Sequence, residues 1–195
     1  WRRRPGRPAR YGRCVTASTW TLDPSAGELL VLTDVAGPAA KMGHRLTIVM
    51  QSWQASVQWH KDRPTAVALE IDVDSLQVRK GEGGVTPLSG PEKGLVRSNA
   101  LKSLNAKKFP KIRYTADAVA QTPSGYRLTG TVEIHGTSRP QVVDVGARED
   151  GDGWVMSAEV PVNQTDFKVK PYSLLMGSMK VADQVVVRFT ARRSQ

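Results

Sequence analysis

Reactive side chains are few in this sequence, and their spacing builds no catalytic constellation. The three histidines, His44, His60 and His135, stand far apart, and there is no HExxH pair of the kind that holds zinc. His135 adjoins the turn Gly136-Thr-Ser-Arg-Pro140, where a histidine bonded to backbone is preferred over a metal ligand. The same turn comes close to the hydrolase elbow G-x-S-x-G. Pro140 replaces its closing glycine, however, and a strand follows where a helix is needed, so Ser138 is not read as a nucleophile. Gly81-Glu-Gly-Gly84 fails as a phosphate loop. Thr86 stands where the dinucleotide fingerprint needs its last glycine, and no Gly-Lys-Ser/Thr follows. A single cysteine, Cys14, allows no internal disulfide, Cys-rich zinc site or CxxC pair. Asn163-Gln-Thr165 is a glycosylation sequon that matters only in a eukaryotic secretory setting. The expectation is a chain with no catalytic residue, no metal and no obligatory cofactor.

What these residues sit on is a series of short alternating strands. In Tyr126–His135, Tyr126, Leu128, Gly130, Val132 and Ile134 share one parity, and Arg127, Thr129, Thr131, Glu133 and His135 the other, which describes a half-buried strand. Gly136 and Pro140 are expected to stop it and turn the chain into a second run, Gln141–Ala147. Thr65–Asp74 alternates as clearly, with Val67, Leu69, Ile71 and Val73 on one side. His44–His60 switches parity between Met50 and Trp53, which signals a bulge or a tight hairpin near Gln51-Ser52. Further strands are expected at Glu28–Thr33, Lys111–Val119, Trp154–Val162 and Gln184–Arg192. Between them, Ser89-Gly-Pro-Glu92 has the form of a capping box, so one helix is expected over about 90–107, striped by Val96, Ala100, Leu101 and Leu104. Gly81–Gly84 reads as a flexible connection.

Net charge is +10, and six of the excess positive charges are Arg2, Arg3, Arg4, Arg7, Arg10 and Arg13, in a stretch without acids. Residues 1–19 therefore read as a disordered basic arm, able to touch a polyanion or nucleic acid weakly, ahead of one domain over 20–195. The arm lacks the apolar core of a signal peptide, which favours the cytoplasm; a secreted or periplasmic-type location stays open if the N-terminus was trimmed, since the chain starts at Trp1. No apolar run approaches the roughly 18 residues of a membrane-spanning helix. About eight short strands with turn residues between them read as a sandwich or a barrel, closure being the arrangement that removes exposed edges. Such an interior is either filled by side chains or left open for one small ligand.

Several landmarks occur together and in order: Trp20-Thr-Leu-Asp-Pro24, Val73-Asp-Ser-Leu76, Lys108-Phe-Pro-Lys-Ile112, Gly130-Thr-Val-Glu-Ile-His-Gly-Thr-Ser-Arg-Pro140, and the stretch from Asp166-Phe167 to Val185. In this the chain resembles the YceI-like proteins over nearly all of Trp20–Arg192, and Lys170-Pro-Tyr-Ser173 with Lys180-Val-Ala-Asp183 is similar to their actinobacterial-type branch. The resemblance implies an all-β fold, a lipocalin-like antiparallel barrel of eight strands with the one inserted helix. It also implies non-enzymatic binding of a polyisoprenoid, quinone-like or other long-chain amphiphilic lipid inside the barrel. Two positions depart from the family pattern: Lys168 stands where Gly is usual after Asp-Phe, and Gln164 where many members carry Arg. For such a ligand, the cavity-lining candidates are Leu69, Ile71, Leu128, Val132, Ile134, Trp154, Phe167, Leu175 and Met176. The adaptable cluster Leu174-Leu175-Met176 with Met179 is either a core plug or the mouth of the cavity. Homodimerisation stays open.

Overall fold

The computed structural model describes residues 17–194, with Leu175 described by its backbone only. Of the expected basic arm over residues 1–19, residues 1–16 lie outside the described residues, and Ser18 and Thr19 already belong to the first strand. One antiparallel sheet carries the fold. Its strands are β1 (Ser18–Leu22), β2 (Gly27–Leu32), β4 (His44–Met50), β5 (Trp53–His60), β6 (Arg63–Asp72), β7 (Leu76–Gly83), β8 (Lys111–Thr122), β9 (Gly125–Ile134), β10 (Thr137–Asp150), β11 (Gly153–Asn163) and β14 (Gln184–Ser194). A small second sheet joins β3 (Val35–Ala36), β12 (Ser173–Leu174) and β13 (Met179–Val181), and one helix, α1 (Gly90–Ser103), precedes β8.

The main sheet has the order β1-β5-β6-β8-β9-β10-β11-β14-β2-β4-β7. Its two ends belong to the same three passes of chain: β1 runs on into β2, β4 into β5 and β6 into β7, so the sheet curls round upon itself. The strand count of eight expected from the sequence is corrected by this arrangement. Three passes bend at corners and are each cut into two hydrogen-bonded segments, giving eleven. At the first corner the Asp23 carboxylate accepts from the Ser25 N–H at 2.8 Å and the Ser25 hydroxyl at 2.6 Å. The other two corners are tied to each other: the Asp72 N–H donates to Ser52 O at 3.0 Å and the Gln51 N–H to Ser75 O at 3.2 Å.

The parity switch at Gln51-Ser52 is one of these corners, neither hairpin nor simple bulge. Both halves of the pass keep their apolar side inward, with Leu46, Ile48 and Met50 buried before the corner and Trp53 and Ala55 after it. β7 was not expected. Only Leu76 and Val78 mark its inner face before the glycines, and its pairing with β4 shifts register between Thr47 and Ile48.

β9 and β10 form a hairpin with a two-residue turn, His135-Gly136, in which both residues have positive φ (52° and 68°). That geometry matches the twist of the flanking strands, and a Cβ on Gly136 would sit 2.4 Å from the Phe109 ring. The strand does not end at Pro140 as expected; Pro140 lies within β10, paired with Thr131. Gly130 faces inward on β9 where a Cβ would meet Thr115 O at 2.1 Å, beside a bulge in β8 between Ala116 and Ala118.

The helix starts as its sequence dictates. The Ser89 N–H donates to the Glu92 carboxylate at 2.7 Å while the Glu92 N–H donates to the Ser89 hydroxyl at 3.4 Å. It ends four residues short of the expected 107. Asn105 takes a left-handed conformation (φ 46°), its N–H bonds Lys102 O, and the Ala106 N–H reaches back to Leu101 O, a closing pattern that ends a helix.

Candidate functional site

Inward-facing side chains of the curled sheet leave two cavities. The first, of 300 Å³, lies beneath α1, where Val96, Ala100 and the capping Leu104 roof it, and beside the small sheet, which contributes Val35, Leu174 and Val181. The second, of 240 Å³, lies toward Trp20 and Trp59 and is walled by residues such as Leu69, Leu128, Val145 and Met156. Val31, Met50, Ile112, Ile134, Val162 and Val187 line both. The cavities are therefore two adjoining chambers that share these six residues as a waist. Volumes of this order suit an apolar ligand held by few polar contacts.

Polar groups are unevenly placed around this interior. Thr33, His44, Asn99, Ser103, Gln164, Tyr172 and Lys180 line the first chamber together with its apolar wall. A His44 ring nitrogen is already engaged with Thr86 O at 2.8 Å, and the Gln164 amide donates to Ala182 O at 2.9 Å. In the second chamber the Tyr114 hydroxyl lies 3.3 Å from both Leu128 O and Gln141 O, and burial pushes its pKa up to about 12. Trp59 also lines that chamber, and its buried indole N–H has no acceptor. The outer end there is stacked: Trp20 lies 4.3 Å from Trp59, with the Arg193 guanidinium 4.7 Å over the Trp20 ring.

Of the residues singled out in the sequence, Leu69, Ile71, Leu128, Val132 and Trp154 line the second chamber, Ile134 lines both, and Phe167 lines the first. Met176 is a correction. It occupies a left-handed turn (φ 54°) and is fully exposed, because the backbone at that turn aims its side chain away from the interior. The side chain of Leu175 lies outside the described residues. Sequence reasoning did not single out the α1 roof or the waist residues Val31, Met50, Ile112, Val162 and Val187. Strand parity marked several of them as inward-facing, but which inward positions meet at one level depends on the registers of all the strands.

His135 also differs from expectation. Its ring packs edge-on against Phe109 at 4.6 Å, and its buried Nδ1 has no hydrogen-bond partner instead of a backbone bond. Among the described residues no group of three His, Cys, Asp or Glu side chains could hold a metal ion, and no helix is long and apolar enough to cross a membrane. The ion-paired groups beside the corners lie at the surface. Lys111 holds the Asp72 carboxyl below the usual range, assisted by Ser52, and with Arg113 it does the same to Glu70. Lys168 has φ 59°, a left-handed conformation that explains why glycine is favoured there.

Comparison with solved structures gives the fold. BcnA of Burkholderia cenocepacia superposes with a TM-score of 0.63 at 17% identity, covering 86% of this chain and 96% of that one. A mutant of the YCEI protein of Campylobacter jejuni gives 0.50 at 13% identity, covering 99% and 93%. No curated protein matches by sequence. The family model of the YceI-like domain matches residues 20–192. That span takes in the curled sheet except for the outermost residues of β1 and β14, together with its covering helix and the residues lining both chambers, and the chain belongs to the YceI-like family.

Proposed function

We propose that the interior binds one long apolar chain, that of a polyisoprenoid, a quinone-like molecule or another long-chain amphiphilic lipid, and that it does so without turnover. The observation that carries this reading is the shared waist. Two adjoining apolar chambers offer a long chain more room than either holds alone, where a compact substrate would need one pocket only. Each buried CH₂ contributes ~0.8 kcal/mol of gross transfer free energy, so a few isoprene units supply as much as the roughly 8 to 12 kcal/mol of micromolar to nanomolar binding. Ordering the chain and losing its translational freedom offset part of that gain.

The chemistry of the walls supports the same reading. Among the described residues that line the interior, His44 and Gln164 bond to backbone oxygens, and no hydrogen-bonded pair of polar side chains suited to general acid–base or nucleophilic work is formed. The polar residues gather around the first chamber, beside the small sheet, which suits an amphiphile whose head stays there while its tail crosses the waist. Gln164, in place of the arginine many family members carry, gives that chamber a neutral amide bonded to backbone at this position.

The test is to extract the purified protein with organic solvent and take the mass spectrum of the extract. A long-chain amphiphile recovered in molar proportion to protein is the expected result. Purified protein that yields no such molecule and takes up no fluorescent long-chain fatty acid overturns the reading.

A further inference from the structure

The wall of the curled sheet is unzipped along one seam. β10 pairs with β9 over Thr137–Gly146, and β11 pairs with β14 over Gly153–Asn163, yet β10 and β11 pair with each other only between Gly146–Asp150 and Gly153–Ser157. Beyond that the ladder stops, although both strands continue.

The sequence of the two rims explains why it stops. β10 is flanked by two-residue turns, His135-Gly136 before it and Gly151-Asp152 after it. In such hairpins the pair flanking the turn exchanges both backbone hydrogen bonds. Thr137 thus turns its backbone groups toward β9 and Asp150 toward β11. Counting inward from either end gives the same alternation, with Pro140, Val142 and Asp144 aimed at β11.

Extending the observed register from Gly146↔Ser157 would create three more bonded pairs: Asp144↔Glu159, Val142↔Pro161 and Pro140↔Asn163. Each is defeated. Pro161 has no N–H for Val142 O, which instead accepts from the Gln141 side-chain amide at 2.9 Å, and Pro140 has none for Asn163 O. Asp144 would face Glu159 as a like charge, and each carboxylate is drawn to an arginine on its other neighbour. Arg127 of β9 lies 2.7 Å from Asp144 and Arg188 of β14 lies 2.5 Å from Glu159.

What the seam opens onto is the interior. Val143 and Val145 on one rim, and Val160 and Val162 on the other, line the second chamber, and Val162 reaches the waist. The seam is bounded at one end by the remaining ladder and at the other by Arg139, whose Nε donates to Asp166 O at 3.0 Å.

We propose that this seam is a lateral portal through which the apolar chain of the ligand enters and leaves sideways, a proposal that rests on the lipid reading above. Sideways passage spares a long chain from threading end-on past the roof of α1 or the stacked Trp20 and Trp59.

The experiment uses the full chain with Cys14→Ser, Val142→Cys and Pro161→Cys, two outward-facing and opposed positions, and follows uptake of cis-parinaric acid by stopped-flow fluorescence. In the oxidised, stapled protein uptake should slow about tenfold or more and recover on reduction, with equilibrium affinity changed by less than about threefold. Equal rates before and after reduction overturn the portal and leave the lipid reading standing. Absence of uptake by the reduced protein overturns both. A second variant, Pro140→Val with Pro161→Val and Asp144→Lys, closes the seam without a disulfide. Slower uptake by it supports the portal, and unchanged uptake with the amides of residues 142 and 144 newly protected from hydrogen exchange overturns it.

Discussion

The Ser52 hydroxyl donates to the Asp72 carboxylate at 2.5 Å, fastening the corner between β4 and β5 to the corner between β6 and β7. Lys111 of β8 completes the junction, its ammonium 2.6 Å from Asp72 and 2.9 Å from Glu70. Both carboxyls are held below their ordinary range, chiefly by hydrogen bonds from Lys111. Their contribution to stability is therefore complete above the unfolded pKa values of about 3.9 and 4.3 and is lost as pH falls through the lower folded values. Lys111→Met should melt below the wild type at pH 6, and the gap should narrow steadily as the pH is lowered through 4. Thermal melts followed by circular dichroism across that range check the trend; a gap independent of pH would show that the junction acts through packing alone.

Tyr114 gives an alkaline counterpart. Burial raises its pKa to about 12 from an ordinary 10.0, so the unfolded chain loses this proton first. Stability should decline as pH rises from 10 toward 12, and Tyr114→Phe should flatten that decline. Phenolate absorbance recorded during a pH titration will show one tyrosine ionising late, and the variant should lack it.

Enlarging one inward residue tests whether the second chamber is usable space. Val132 is buried and lines that chamber, whereas Thr131 is exposed on the opposite face. Val132→Phe should lower ligand occupancy or shorten the chain bound, with less than the about 1–3 kcal/mol lost when a packed core is overfilled. Thr131→Phe should leave ligand content unchanged. Melting temperature and extracted ligand, measured on both, decide it: full overpacking at residue 132 with unaltered ligand content would mean that the chamber is not where the chain lies.

The roof of the first chamber depends on a local cap. Ser89→Ala removes the side-chain half of the capping box and should cost about 1 kcal/mol. Because α1 covers the chamber with one face only, the loss should appear as faster hydrogen exchange in residues 92–100 before it appears in β9 or β11. Uniform acceleration throughout the protein would place the effect in global stability instead.

Much of this fold was legible along single strands and little of it across them. The alternation of Tyr126–Ile134 and of Val67–Ile71 reports which side of a strand is apolar, and that side faces the interior in both. The capping box at Ser89 named its own helix start. Strand count was not legible, because a corner such as Gln51-Ser52 leaves the apolar pattern intact on either side while redirecting the chain. Pro140 was misread for a related reason. A proline forbids a ladder bond on one side only, and here that side is the unzipped one. Met176 failed because hydrophobicity carries no direction, and the left-handed turn that points it outward has no local signature beyond Gly177. The waist could not be read as a unit, since its six residues come from six different strands and meet only through register.

The pairing of β14 with β2 joins segments far apart in the chain, with Val187 opposite Val31. Until Gln184–Ser194 emerges from the ribosome, β2 and β11 each present an open edge to whatever else is nearby. Local hairpins such as β9–β10 can form early, but the ring cannot close until β14 arrives. Every strand from β2 to β11 is therefore made before the one that joins them, and the enclosed interior comes into existence only when β14 pairs on both sides.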